Sequence, residues 1–140
     1  MNFNAHYIRD WINYRTTIGL SKDPSFDDNW SFQLPELLGS NVYLGGCANG
    51  KLLSFWKNME MNSDVLVNLT GSGSTVGVSV GSKWQEGGPS IESVKGSWRN
   101  ETEAGAFAHN VTWNKGEKNS VESDIGARFD MENHSWLFRL

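Results

Sequence analysis

Apolar and polar residues alternate with a period of two along most of this 140-residue chain. In the segment 64–69, for example, Val65, Val67 and Leu69 recur at every second position, and in the segment 12–20 Ile12, Tyr14, Thr16, Ile18 and Leu20 do the same. Successive side chains of a β-strand point to opposite faces, so this period predicts strands with one apolar face. Long helical segments do not alternate with these strands, which argues against a parallel sheet with helical crossovers.

Turn residues divide the alternating segments, and the chain has 15 glycines to supply them. Asn49-Gly50 predicts a two-residue hairpin turn, followed by a return strand from Lys51 to Met59. Short connections place consecutive strands side by side, and closure of such a sheet removes its exposed edges. We therefore expect one all-β domain over residues 1–140, a single antiparallel meander β-barrel of about 8–10 strands.

The N-terminal segment differs from the rest. Tyr7, Ile8 and Trp11 have the spacing of an apolar helical stripe, which predicts a short N-terminal helix within residues 3–12. No basic region followed by an apolar stretch is seen there, so we expect a cytoplasmic or plastid protein, secreted only if a signal peptide was removed. Five glycosylation sequons, at Asn29, Asn68, Asn100, Asn110 and Asn133, are expected to be accidental in that compartment.

Charge and composition narrow the range of partners. The net charge is −4, and lysine and arginine do not cluster, which argues against binding to nucleic acid or anionic lipid. No apolar run approaches the roughly 18 residues of a membrane span. Cys47 is the one cysteine, so an intramolecular disulfide is impossible. A small apolar ligand is the partner that these properties leave open.

The motifs of common enzyme classes are missing from the sequence. Gly71-Ser-Gly-Ser lacks the lysine of a phosphate-binding loop. The three histidines, His6, His109 and His134, are far apart and have no cysteine at ligand spacing, so we expect no metal site. Nor is there a serine in a glycine elbow. Catalysis is therefore left undecided.

Seven tryptophans are the most unusual feature of the composition. In a barrel they either fill the core or line a cavity for a flat apolar ligand. His109 shares a strand face with Phe107, Val111 and Trp113, so it is either an ordinary core or surface histidine or a hydrogen-bonding group in an apolar pocket. Arg15 either points outward or enters a polar cavity, where its guanidinium would bind a carboxylate.

The segment Trp11-Ile-Asn-Tyr-Arg-Thr-Thr17 resembles the first strand of calycin-type, lipocalin-like barrels. In that class the tryptophan packs against an arginine near the end of the chain, which implies Arg139 here. Within the class, the W-x-x-x-R-T-T pattern is similar to the start of the phycobilin lyases, which deliver open-chain tetrapyrroles to antenna proteins. The resemblance implies a bilin ligand that is not covalently bound, an acceptor protein as partner and, for Arg15, pairing with a propionate.

A second segment resembles the first hairpin of the avidins. It comprises Leu38-Gly-Ser40, Ala48-Asn-Gly-Lys-Leu52 and the aromatic Trp56, and it implies that Ser40 binds a ureido oxygen. The tryptophan of the central avidin strand has no counterpart, because its position falls near Ser82. The two resemblances agree on architecture and differ on ligand.

Ligand binding is the leading hypothesis from the sequence, in a calycin-like barrel that acts as a chromophore lyase or chaperone for a phycobiliprotein. A carbohydrate-binding lectin or avidin-like protein is the first alternative, and a non-catalytic viral or accessory structural protein is the second. If the protein is an enzyme, a phycobilin lyase is the expected class. The expected ligand-binding residues are Arg15, Ser40, Trp56, His109 and Trp113.

Overall fold

A computed structural model of the protein describes residues 1–36, 40–69, 71–131 and 134–140; the side chains at 55, 56, 131, 134 and 135 lie outside that description. A 3₁₀ turn (Leu52–Ser54) and a four-residue helix, α1 (Phe55–Asn58), follow the fourth strand. The strands are β1 (Asn2–Arg9), β2 (Ile12–Gly19), β3 (Ser25–Gln33), β4 (Ser40–Lys51), β5 (Met59–Leu69), β6 (Ser74–Gln85), β7 (Gly88–Thr102), β8 (Gly105–Asn114), β9 (Ser120–Met131) and β10 (His134–Arg139).

The ten strands form one sheet, in which each strand pairs antiparallel with the next one along the chain. This confirms the prediction of an all-β antiparallel meander. The strands are staggered, because the residue row that crosses Tyr7 near the end of β1 reaches Val121 near the start of β9. Stagger of this kind accompanies strand tilt in barrels.

The prediction of a closed barrel is wrong for this structure. In the described part of the chain β1 pairs only with β2 and β10 only with β9, so the sheet has two free edges. Short connections specify which strands are neighbours, and that was the signal in the sequence. Closure depends in addition on how the accumulated tilt and coil bring the first and last strands together, which the connections do not encode.

Two local predictions at the ends of strands are also wrong. Residues 3–12 form no helix, since Asn2–Arg9 is a strand paired with β2 across a turn at Asp10 and Trp11. Asn49 and Gly50 do not turn the chain but stay in β4, and the return strand begins only at Met59. Gly50 is closely packed, because a Cβ there would lie 2.9 Å from the carbonyl oxygen of Asn58 and 3.2 Å from the ring of Phe26.

The cross-strand register separates the side chains into two sharply different faces. On one, the apolar face, Arg9 and Asp28 are the charged residues among the paired strand positions; the other, the polar face, carries ion pairs such as Lys83–Glu60. The large side chains of the apolar face include Phe3, Tyr7, Ile12, Tyr14, Ile18, Phe26, Trp30, Phe32, Val42, Leu44, Met59, Met61, Val65, Val67, Leu69, Val76, Val78, Val80, Trp84, Val94, Trp98, Phe107, Val111, Trp113, Val121, Ile125, Phe129, Trp136 and Phe138.

No second layer covers the apolar face in the described part of the chain. Ala48, at 8% exposure, is the one buried apolar side chain there, and Val76, Trp98 and Phe129 are all exposed. The accessible surface is 10239 Å² for 15.7 kDa, against about 7,300 Å² expected for a compact monomer of this mass. The sheet therefore presents an apolar surface large enough to be a binding surface.

Candidate functional site

Charged side chains on the polar face connect β7 with β9 across β8. Glu101 accepts from Arg99 at 2.9 Å and from Arg128 at 3.5 Å, and Arg128 also donates to Asp130 at 3.1 Å. Ala106 of β8 lies between Glu101 and Arg128 in the register, so its small side chain lets the charges meet across it. A pocket opens on the other face of the same three strands.

That pocket, here called the aromatic pocket, has a volume of about 220 Å³. Phe107 and Phe129 line it together with the polar side chains of Asn100 and Thr102, and Gly105 forms part of its wall. A Cβ at Gly105 would clash with the carbonyl oxygen of Arg128, and its φ of 148° also favours glycine. The pocket is thus an apolar recess with a few polar groups, which is the usual composition of a small-molecule site.

Each of the two aromatic rings in the pocket wall, Phe107 and Phe129, pairs with a ring outside it. The centroids of Trp98 and Phe107 are 5.3 Å apart with tilted planes, and those of Phe129 and Phe138 are 6.3 Å apart in an edge-to-face arrangement. Such pairs add about 0.5–1.5 kcal/mol beyond area burial. The rings offer an exposed aromatic surface on which a flat group can stack.

His109 lies next to the aromatic pocket on the apolar face, opposite Trp98 on β7 and Ile125 on β9. Its Nε2 is 2.9 Å from the Oγ of Ser123, so one imidazole nitrogen is already in a hydrogen bond. The partnership orients the ring and leaves Nδ1 as the nitrogen available to a ligand. Trp113 lies on the same face of β8, one strand row beyond Val111.

The five ligand-binding residues expected from the sequence do not all meet. Arg15 lies on the polar face, while His109, Trp113 and Ser40 lie on the apolar face. Ser40 begins β4, opposite Leu69, and the side chain of Trp56 lies outside the described part of the structure. A single ligand in contact with one face cannot reach both Arg15 and His109.

Arg15 instead contributes to an open groove of about 460 Å³ on the polar face. Asn13, Asn29 and Ser31 line this groove with His6, whose Nε2 is 2.8 Å from the Oδ1 of Asn13. Asn29 donates to Asp27 at 2.9 Å, which leaves the carbonyl oxygen of its amide free to accept. The groove, here called the Arg15 groove, therefore offers one guanidinium and several neutral hydrogen-bonding groups.

Trp11 is placed differently from the arrangement that the calycin resemblance implies. It lies in the turn between β1 and β2 and lines an open cavity of about 520 Å³ with Leu34 and Pro35. Arg139 is in β10, at the opposite edge of the sheet. The two edges would have to meet before Trp11 and Arg139 could pack together.

Sequence reasoning missed two features of this surface. Asn100 and Thr102 belong to the aromatic pocket, although they read as surface residues of a polar strand end. Tyr14 donates a 3.2 Å hydrogen bond to Asp28, a carboxylate on the apolar face. The alternation of side chains along each strand would have placed these residues on the apolar face. Only the cross-strand register shows which of them become neighbours.

Other kinds of site were sought among the described residues. They contain no group of three or more His, Cys, Asp or Glu side chains that could hold a metal ion. None of their helices is long and apolar enough to cross a membrane. Comparisons with protein-family models, curated proteins and solved structures found no match to the chain.

Proposed function

We propose that the protein is a calycin-like binding protein that holds an elongated, ring-containing apolar ligand on the apolar face of its sheet. The observation that carries the proposal is the exposed apolar face with a polar-edged aromatic pocket of about 220 Å³ set into it. That volume suits one ring of a ligand, since complete sites for drug-sized molecules are about 300–1,000 Å³. The rest of the ligand would lie along the neighbouring aliphatic rows.

An open-chain tetrapyrrole is the ligand class that we propose for this surface. One pyrrole ring would stack between Phe107 and Phe129, and a ring NH or lactam oxygen would bond to Asn100, Thr102 or His109. Arg15 has no part in this site because it lies on the polar face. Carriage of the ligand, and its delivery to an acceptor protein, is the role proposed here.

Titration with a linear bilin tests the proposal directly. We expect a shifted visible absorption band and quenching of tryptophan fluorescence, both saturable, because the pigment would stack beside Trp98. Phe107→Ala should weaken binding by about tenfold, the equivalent of 1.4 kcal/mol. Asn110→Ala is the matched control, on the polar face of the same strand. No spectral change with either bilin or haem would overturn the proposal.

Carbohydrate binding at the Arg15 groove is a second candidate function. The groove combines the guanidinium of Arg15 with the amides of Asn13 and Asn29, which suits a sugar carrying both hydroxyl groups and a carboxylate. A glycan array that contains neutral and uronic or sialic acid glycans tests it. Arg15→Gln should abolish retention of the acidic members, and Lys95→Gln, which removes a charge elsewhere on the polar face, should not. An array without hits would exclude this candidate.

A further inference from the structure

The edge strand β10 carries a run of exposed apolar side chains. Its exposed fractions are 58% at Trp136, 80% at Leu137 and 55% at Phe138, three consecutive large apolar residues. Trp136 and Phe138 lie on the apolar face, whereas Leu137 lies on the polar face beside Arg128. Soluble proteins usually protect an edge with charge, proline or a bulge, because an unpaired apolar edge associates with other chains.

The outward backbone groups of β10 are also free to pair. Leu140 exchanges two hydrogen bonds with Ile125 of β9, so by antiparallel alternation Phe138 and Trp136 also bond toward β9. The N–H and C=O groups of Leu137 and Arg139 therefore point away from the sheet. The other edge, β1, differs in that three of its outward-pointing positions carry polar side chains, Asn2, Asn4 and His6, and only Ile8 is apolar.

We infer that β10 pairs antiparallel with β10 of a second copy about a twofold axis at Leu137. In this register Leu137 faces its symmetry mate on the polar face. Trp136 faces Phe138 of the other copy on the apolar face, and this contact occurs twice. In this register the large apolar side chains of one copy face those of the other, in an isologous interface.

The pairing has a consequence for the aromatic pocket. Phe138 is already in contact with Phe129 of the pocket wall, so Trp136 of the second copy would extend the same row of rings. The two apolar faces become one continuous surface across twenty strands. The residues that line the aromatic pocket all belong to one copy, and the dimer lengthens the row of rings beside it.

Light scattering of the purified protein tests the inference. We expect a dimer for the unmodified chain and a monomer for Leu137→Lys, because the substitution places two like charges opposite each other at the axis. Ile8→Lys is the matched control: Ile8 is 64% exposed on the polar face of the other edge strand. It should remain dimeric. A monomeric unmodified protein, or a dimeric Leu137→Lys variant that folds normally, would overturn the inference.

Cysteine cross-linking distinguishes this interface from the other ways in which the edges can pair. In a Cys47→Ser background, Leu137→Cys should form a disulfide-linked dimer on mild oxidation, since opposite Cα atoms in a ladder are about 5.5 Å apart. Ile8→Cys should not. Cross-linking between separate Ile8→Cys and Leu137→Cys chains, or within one chain carrying both, would instead show β1–β10 pairing and overturn the inference. Bilin titration reports on the pocket and not on assembly, so the two proposals can fail separately.

Discussion

At the scale of single residues, Asp28 is the position where this sheet departs most from its own pattern. It is a carboxylate on the apolar face, half-buried between Thr16 and Ala48 in the register. A charged group in apolar surroundings needs a hydrogen-bond partner, and Tyr14 supplies one at 3.2 Å. Loss of the Tyr14 hydroxyl group should therefore destabilise the fold.

Removal of the hydroxyl group in Tyr14→Phe should lower the free energy of unfolding by about 1–2 kcal/mol, because Asp28 loses its donor while it stays partly buried. Urea denaturation monitored by circular dichroism measures the change. His6→Ala serves as the comparison, since it removes an exposed hydrogen bond to Asn13 and should cost well under 1 kcal/mol. If the two variants lose the same stability, Asp28 is fully solvated and needs no partner.

At the scale of elements, the turns show how much conformation depends on a few glycines. The β5–β6 connection contains Gly71 and Gly73, both with positive φ, at 82° and 64°. A Cβ at Gly71 would meet open space, whereas one at Gly73 would collide with the carbonyl oxygen of Glu101 in β7. Both glycines therefore allow a positive φ, but only Gly73 also allows the close approach of the β7 backbone.

Gly71→Ala should cost about 1–2 kcal/mol of stability, the penalty of a left-handed residue with a side chain. Gly73→Ala should cost clearly more, because the backbone of β7 must also move away. Thermal unfolding of the two variants measures the difference between their stability losses. The cost of a side chain at positive φ is common to both and cancels in this difference. Equal losses would mean that β7 shifts without cost and that the close approach has no structural role.

The strands and turns could be predicted from the sequence only in part. Period-two alternation identified strands such as Asp64–Leu69 and Val121–Met131, which lie within β5 and β9. The turn signal failed at Asn49-Gly50, because both residues have ladder partners in β3 and stay in the strand. The helical spacing of Tyr7 and Ile8 was also misleading, since the two residues lie on opposite faces of β1. The pocket was harder still, since Asn100 and Phe107 become neighbours only through the β7–β8 register.

At the scale of the whole molecule, charged side chains lie mainly on one face of the sheet and apolar side chains on the other. This separation determines what the sheet should bind. A single layer with an open apolar face should bind an amphiphilic reporter such as anilinonaphthalene sulfonate in its native state, without the loss of ordered packing that accompanies such binding in molten globules. Dimerisation through β10 extends this face and does not cover it. The reporter should therefore bind the dimer as well.

A charge placed within the apolar face should reduce that binding, and the same charge on the polar face should not. Val76→Asp and Thr75→Asp are adjacent in β6 and point to opposite faces; Val76 lies between Val67 and Trp98, and Thr75 between Asn68 and Arg99. We expect Val76→Asp to lower the dye fluorescence at saturation severalfold and Thr75→Asp to leave it unchanged, with far-ultraviolet circular dichroism confirming that both retain the sheet. Because the substitutions differ only in face, equal fluorescence would show that the apolar face is already covered in solution, either by a second copy packed upon it or by closure of the sheet.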